Sequence, residues 1–161
     1  MQSYVITIMD EPKSVESAQR CIKSAKRHGV NVEMWPAITP KDDPVKIFKD
    51  KGLSTRRFEN SPYSRPVNAM SAFLSHRSLW EKCLADKRET MILEHDAVFT
   101  RKFRLGKLLD AIEDGDIVMI NDPRGATRRG TVYHENIIRW DKGLNTIDGV
   151  NTADENVPDG L

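Results

Sequence analysis

No stretch of this 161-residue chain approaches the roughly 20 consecutive apolar residues that a membrane-spanning helix requires, so no membrane span is expected. Cysteine is scarce. Cys21 and Cys83 are the only two, each inside an apolar helical pattern, and they read as reduced core residues of a cytoplasmic protein rather than a disulfide framework. Charge of one sign is not in excess either. The 25 Lys and Arg nearly cancel the 24 Asp and Glu, and a net charge of +1 gives no reason to expect a nucleic-acid partner. The opening MQSYVITIMD places no basic residues ahead of an apolar stretch, so no signal peptide is expected. No period of about 20 to 50 residues recurs, which excludes a solenoid of repeats.

What remains is an ordinary globular composition, 39% hydrophobic and 30% charged, long enough for one domain with a real core. Residues 4–9 (YVITIM) are rich in β-branched side chains and predict a buried strand. Pro12 and Ser14 mark a turn and a helix N-cap. Val15, Ala18, Ile22 and Ala25 then recur at helical spacing up to a Gly29 cap. Residues 30–37 (VNVEMWPA) predict a second strand, completing a βαβ unit of the kind that builds parallel sheets.

Residues 39–66 carry four prolines and many charges, and read as a long excursion with one short helix near residues 45–51. A strong helix follows over residues 68–87. Met70, Phe73, Arg77, Trp80 and Leu84 form one stripe, and Ala72, His76, Leu79 and Cys83 the adjoining one. Residues 90–93 (TMIL) predict an apolar strand, residues 105–112 an amphipathic helix and residues 116–121 (DIVMIN) a further strand of the same sheet. Short strands are expected at residues 131–133 and 137–140. The tail from Asn145 carries four acids and no base, and is expected to be loosely ordered. The whole is read as a single domain over residues 1–161.

The informative chemistry sits where the strand at residues 90–93 runs into Glu94, His95 and Asp96. In open α/β sheets, ligands bind beyond the carboxyl ends of the strands. Along an extended strand, residues two apart point the same way, so Glu94 and Asp96 present two hard oxygen donors suited to Mn2+ or Mg2+. On the residues alone, a helix cap or a solvated acidic turn is an equal reading of this pair.

The wider pattern is more specific. Leu74-Ser75-His76 and Trp80 on one helix, followed by Ile92-Leu93-Glu94-His95-Asp96-Ala97-Val98-Phe99, resemble glycosyltransferase family 25, which includes lipooligosaccharide and collagen galactosyltransferases. The resemblance covers roughly residues 3–122. It implies an α/β, GT-A-like fold with a Rossmann-type, mainly parallel sheet flanked by helices, here read as incomplete at the C-terminus. It also implies a nucleotide-sugar donor (often a UDP-sugar such as UDP-galactose), a saccharide or protein acceptor, a divalent cation and inversion at the sugar carbon. The expected donor-site residues are Thr7, Met9, Arg20, Ala37, Ser75, His76 and Glu94, with Glu94 and Asp96 at the metal; no catalytic residue is assigned.

Two departures from the family pattern stand out. The family commonly reads Glu-Asp-Asp where this chain has Glu94-His95-Asp96; an alternating strand turns His95 away from the metal, so an out-facing or hydrogen-bonded histidine is expected ahead of a further metal ligand. The family usually carries arginines just after the first strand, whereas here the segment is Asp10-Glu11-Pro12-Lys13. The chain is also shorter than GT-A domains generally are. A non-catalytic nucleotide- or protein-binding remnant is therefore the alternative function, and an unprotected sheet edge leads to an expected homodimer, or else to weak stability and aggregation.

Several residues have a plain reading beside the functional one. With no carboxylate at a fixed spacing, Ser75 and His76 are not expected to form a nucleophilic pair; a buried, hydrogen-bonded His76 is expected to shape the donor site. Trp80 is expected in the core. Arg124, Arg128 and Arg129 read as a solvated loop before a diphosphate clamp, and Asp122 as a turn cap or a sugar contact.

Overall fold

The computed structural model describes residues 1–59, 65–99, 106, 117–120 and 145–146. The chain divides into two units, residues 1–103 and residues 104–161. The first unit holds a three-stranded sheet: β1 (Gln2–Thr7), β2 (Glu33–Pro36) and β3 (Thr90–Glu94), in the order β2-β1-β3. Both pairings are parallel, with Val5 opposite Met34 on one side and Leu93 on the other. The βαβ reading of the first 37 residues and the mainly parallel sheet flanked by helices are thus the observed architecture.

Helix α1 (Pro12–Arg27) covers one face of the sheet. Alternation along β1 and β3 sends Val5, Met91 and Leu93 to that face, where they pack with Ala18, Cys21 and Ala25. Glu11, not Ser14, is the N-cap: its side chain accepts from the Lys13 amide, and Pro12 takes the first helical position, where a missing N–H costs nothing. Ser14 lies inside the first turn and is buried. Helix α4 (Pro66–Asp86) covers the opposite face, where Tyr4 and Ile6 meet Leu79, Trp35 and Ile92.

The buried side of α4 is Met70, Ser71, Leu74, Ser75 and Leu79, which is not the pair of stripes expected from apolar spacing. Ser71 and Ser75 return their hydroxyls to the carbonyls of Val67 and Ser71, so these small polar residues are buried with their hydrogen bonds satisfied. Leu84 and Trp80, expected to pack, are 77% and 40% exposed.

Among the described residues, the stretch 39–59 holds more regular structure than the one short helix expected: a 3-10 turn (Pro40–Asp42), α2 (Pro44–Asp50) and α3 (Arg56–Glu59). Pro40 and Pro44 open two of these elements instead of breaking them, because each sits at the first position. Phe48 supplies the reason for the order: it is 1% exposed and packs with Phe58 and Phe73, joining α2 and α3 to α4.

Within residues 104–161, β4 (Val118–Met119) pairs antiparallel with β5 (Asn145–Thr146). The strand expected at residues 116–121 therefore exists in part, but it joins a two-stranded sheet and not the parallel one. The helix expected over residues 105–112, the strands at 131–133 and 137–140, the basic loop and the tail beyond Thr146 lie outside the described residues, apart from Gly106. No helix among the described residues is long and apolar enough to cross a membrane.

Candidate functional site

Parallel strands deliver their carboxyl ends to one edge of the sheet, and three short connections meet there: residues 8–11 after β1, residues 37–42 after β2 and residues 94–97 after β3. The first is a tight turn in which the Glu11 amide donates to the Ile8 carbonyl at 3.1 Å. The second is tied to the first by an ion pair, Lys41 Nζ donating to the Asp10 carboxylate. That hydrogen bond and the lysine's charge hold the Asp10 carboxyl below its ordinary value. The third is also a turn, closed by the Ala97 amide on the Glu94 carbonyl at 3.0 Å.

This last turn changes the reason for grouping Glu94 with Asp96. β3 ends at Glu94 and the chain bends through His95 and Asp96, so strand alternation does not align the two acids. Glu94 follows the pleat of β3 to the α4 face. There, His76 Nε2 donates to Glu94 Oε1 at 2.7 Å. This hydrogen bond holds the Glu94 carboxyl below the ordinary glutamate value against the opposing effect of burial, and the charges of His76 and His95 act in the same direction. The Asp96 carboxylate lies close enough to α1 to act on Cys21, whose thiol is pushed up first by burial and then by that charge.

His95 turns toward α1, as alternation predicts, but it does not face solvent unpartnered. Its Nδ1 lies 3.2 Å from Ser14 Oγ. Ser14 Oγ also accepts from the Ile8 amide at 2.9 Å. The sequence points to Ser14 as the helix cap and to His95 as out-facing or hydrogen-bonded, without a partner for it. The available signal was topological: in a parallel βαβ unit the first turn of the helix rises beside the end of its own strand, and so beside the neighbouring strand's end as well.

The other expected donor-site residues fall into two groups. Met9 and His76 are at the mouth: Met9 is 55% exposed in the β1–α1 turn, and the His76 side chain is 31% exposed. Thr7, Ala37 and Ser75 support the mouth from below. Thr7 is fully buried, and its hydroxyl donates to the Val5 carbonyl, while its own carbonyl accepts from the Ala37 amide at 2.8 Å. Ser75 Oγ accepts from the Ile38 amide at 2.8 Å and lies 2.8 Å from the Ser71 carbonyl, which anchors the chain after β2 to α4. Arg20 is on the exposed side of α1, about 12 Å along the helix from Pro12.

The mouth is acidic, with Asp10, Glu11, Asp42, Glu94 and Asp96 against Lys41. The start of α1 does not offset this. Its amides are already used, Lys13 by the Glu11 side chain and Ser14 and Val15 by the Glu11 carbonyl, so it is not an open anion site. Carboxylates in one turn are hard oxygen donors that fit Mn2+ or Mg2+ if a ligand supplies the remaining positions. The described residues contain no group of three or more His, Cys, Asp or Glu able to hold a metal by themselves.

No curated protein matches the chain. The profile of glycosyltransferase family 25 (LPS biosynthesis protein) matches residues 1–124, a span that takes in β1 to β4 and all three connections at the mouth. The chain belongs to glycosyltransferase family 25.

Proposed function

We propose that this family 25 glycosyltransferase uses a nucleotide diphosphate sugar, with a UDP-hexose such as UDP-galactose the first donor to test, and passes the sugar with inversion to a hydroxyl of a saccharide or protein acceptor. The observation that carries the reading is the placement of Glu94, His95 and Asp96 in a turn at the carboxyl edge of a parallel sheet, gripped by helices on both faces. Ligands of open α/β sheets bind at that edge.

Electrostatics support a metal-dependent donor. A bare diphosphate meets five carboxylates and no open helix N-terminus, and repulsion opposes its binding. Glu94 and Asp96 would hold Mn2+ or Mg2+, which supplies the positive charge that a departing diphosphate needs. The chain's own contribution is orientation. His76 fixes one oxygen of Glu94 and leaves the other for the ligand side. Lys41 neutralises Asp10 at the far side of the mouth, and Ser75 fixes the backbone at Ile38 beneath it.

The test is a panel of UDP-, GDP-, CMP- and dTDP-sugars in thermal-shift and calorimetric titrations with and without Mn2+, followed by assays of donor hydrolysis and transfer. Saturable, Mn2+-dependent stabilisation by one nucleotide sugar is expected. Binding without any hydrolysis or transfer would mark a non-catalytic nucleotide-binding module, and no binding under any condition would sink the donor reading.

A further inference from the structure

The strongest feature that the donor reading leaves unused is the contact between His95 and Ser14. Ser14 is 3% exposed, and its hydroxyl has two partners. The Ile8 amide donates to Oγ at 2.9 Å, and His95 Nδ1 lies 3.2 Å away. An amide can only donate, so Oγ spends one lone pair on Ile8, and its single proton is available to Nδ1. In the tautomer that takes this proton, His95 accepts at Nδ1 and carries its own proton on Nε2. Three residues from three elements form one chain: the first residue after β1, the first turn of α1 and the turn after β3.

The segment beyond His95 is fixed in the same way. The Phe99 amide donates to Ser24 Oγ at 3.0 Å, and that hydroxyl donates to the Cys21 carbonyl at 2.8 Å. Ala97 and Phe99 pack against the α1 core cluster. Residues 95–99 thus form a strap along α1, held near its two ends by Ser14 and Ser24.

We propose that His95 is a positioning residue. Through Nδ1 and Ser14 it locks the 94–97 turn, with Glu94 and Asp96, to the 8–11 turn after β1, so that the acidic pair and the β1 side of the mouth form one rigid unit when a nucleoside diphosphate and its cation bind. Without the latch, the acids would have to be ordered at the moment of binding, and that ordering lowers affinity. The role rests on the nucleotide-sugar reading, and it differs from metal ligation, which would use Nε2.

The two nitrogens can be separated by substitution. The Asn carbonyl oxygen lies close to where Nδ1 stands and can accept from Ser14; the Gln side chain reaches toward the Nε2 position. The experiment measures UDP binding in the presence of Mn2+ by calorimetry for the wild type, His95→Ala, His95→Asn, His95→Gln, Ser14→Ala and the Ser14→Ala/His95→Ala double variant. Exchange of the Ile8 amide proton and the imidazole nitrogen shifts are followed by NMR in the same proteins.

His95→Ala is expected to weaken UDP–Mn2+ binding by about tenfold or more, the usual cost of losing an outer support of a cation site. His95→Asn should restore it to within about twofold, the double variant should be no worse than the weaker single one, and the wild-type imidazole should show its proton on Nε2. Rescue by Gln and not Asn, additive losses in the double variant, or an unprotected Ile8 amide in the wild type would overturn the latch. A wild type that binds UDP with Mn2+ while His95→Ala binds equally well refutes the positioning role and leaves the transferase reading intact. A wild type that binds no UDP refutes the reading itself and the donor-positioning role with it.

Discussion

His76 Nε2 donates to Glu94 Oε1 across 2.7 Å, joining the middle of α4 to the last residue of β3. The two residues are 18 positions apart, and no sequence spacing announces the pair. They meet because α4 runs back over the sheet before β3 begins, so that a residue midway along the helix reaches the carboxyl end of the strand.

The first prediction concerns acid stability. The His76 hydrogen bond depresses the Glu94 carboxyl in the folded state. The stabilisation is therefore fully present above the ordinary glutamate value and is lost as pH falls through the lower, folded one. Its size is well under about 1 kcal/mol, because the Glu94 side chain is 56% exposed and screened by water. Denaturant midpoints measured down through the carboxylate range should fall more steeply for the wild type than for Glu94→Gln. Parallel curves would show that the pair carries no folding free energy.

The second prediction concerns Ser75, the serine of the motif. Its side chain is 1% exposed and fully engaged with backbone groups of Ile38 and Ser71. Ser75→Ala should cost about 1 kcal/mol of stability by leaving the partly buried Ile38 amide without its side-chain partner. Chemical denaturation checks the cost. If Ser75→Ala keeps full stability and abolishes donor binding, the hydroxyl contacts ligand and the support role assigned to it is wrong.

The βαβ start and the parallel strands were legible because β-branched runs, a helical period and a proline-glycine frame agreed over residues 4–37. The packing face of α4 was legible in part. Met70, Phe73 and Leu79 of the expected stripes do pack, but Trp80 and Leu84 are exposed, and the buried side includes Ser71 and Ser75, which return their hydroxyls to helix carbonyls and so fit a buried face that hydropathy ranks as polar. The helices after β2 were missed for a related reason: the ordering of α2 and α3 comes from Phe48 and Phe58 meeting Phe73, a long-range contact with no local period.

At the candidate site, sequence located the acids and the wrong geometry for them. The motif and its place after a strand could be read directly. That the strand stops at Glu94, so that Asp96 lies beyond a turn, depends on the bond from the Ala97 amide to the Glu94 carbonyl. His95 was correctly turned away from Glu94, but its partner Ser14 belongs to an element 81 residues earlier.

The third prediction separates the two thiols. Cys21 is 0% exposed and its thiol is pushed up by burial and by Asp96, while Cys83 is half-buried and donates to the Arg88 carbonyl at 3.2 Å. A thiolate is the reacting form, so Cys83 should react with a thiol reagent in the native protein and Cys21 only on unfolding. Equal rates for the two cysteines would contradict the packing of α1 on the sheet.

The last prediction concerns the acids themselves. Glu94 faces α4, where His76 occupies one of its oxygens, and Asp96 lies two residues on, within the turn after β3. If both serve one cation, removing either should eliminate the Mn2+ dependence of nucleotide-sugar binding, at a cost of about 2–4 kcal/mol, the range for one preorganised electrostatic group. His76→Ala should do less than Glu94→Ala, because it loosens the carboxylate without removing it, and the half-exposed Glu94 can rehydrate. Titration of Mn2+ against each variant with UDP-galactose held at a fixed concentration orders the three. Should Asp96→Ala bind Mn2+ and donor like the wild type while Glu94→Ala does not, the cation is held on the α4 side alone, and the turn serves to aim Glu94 rather than to pair two acids.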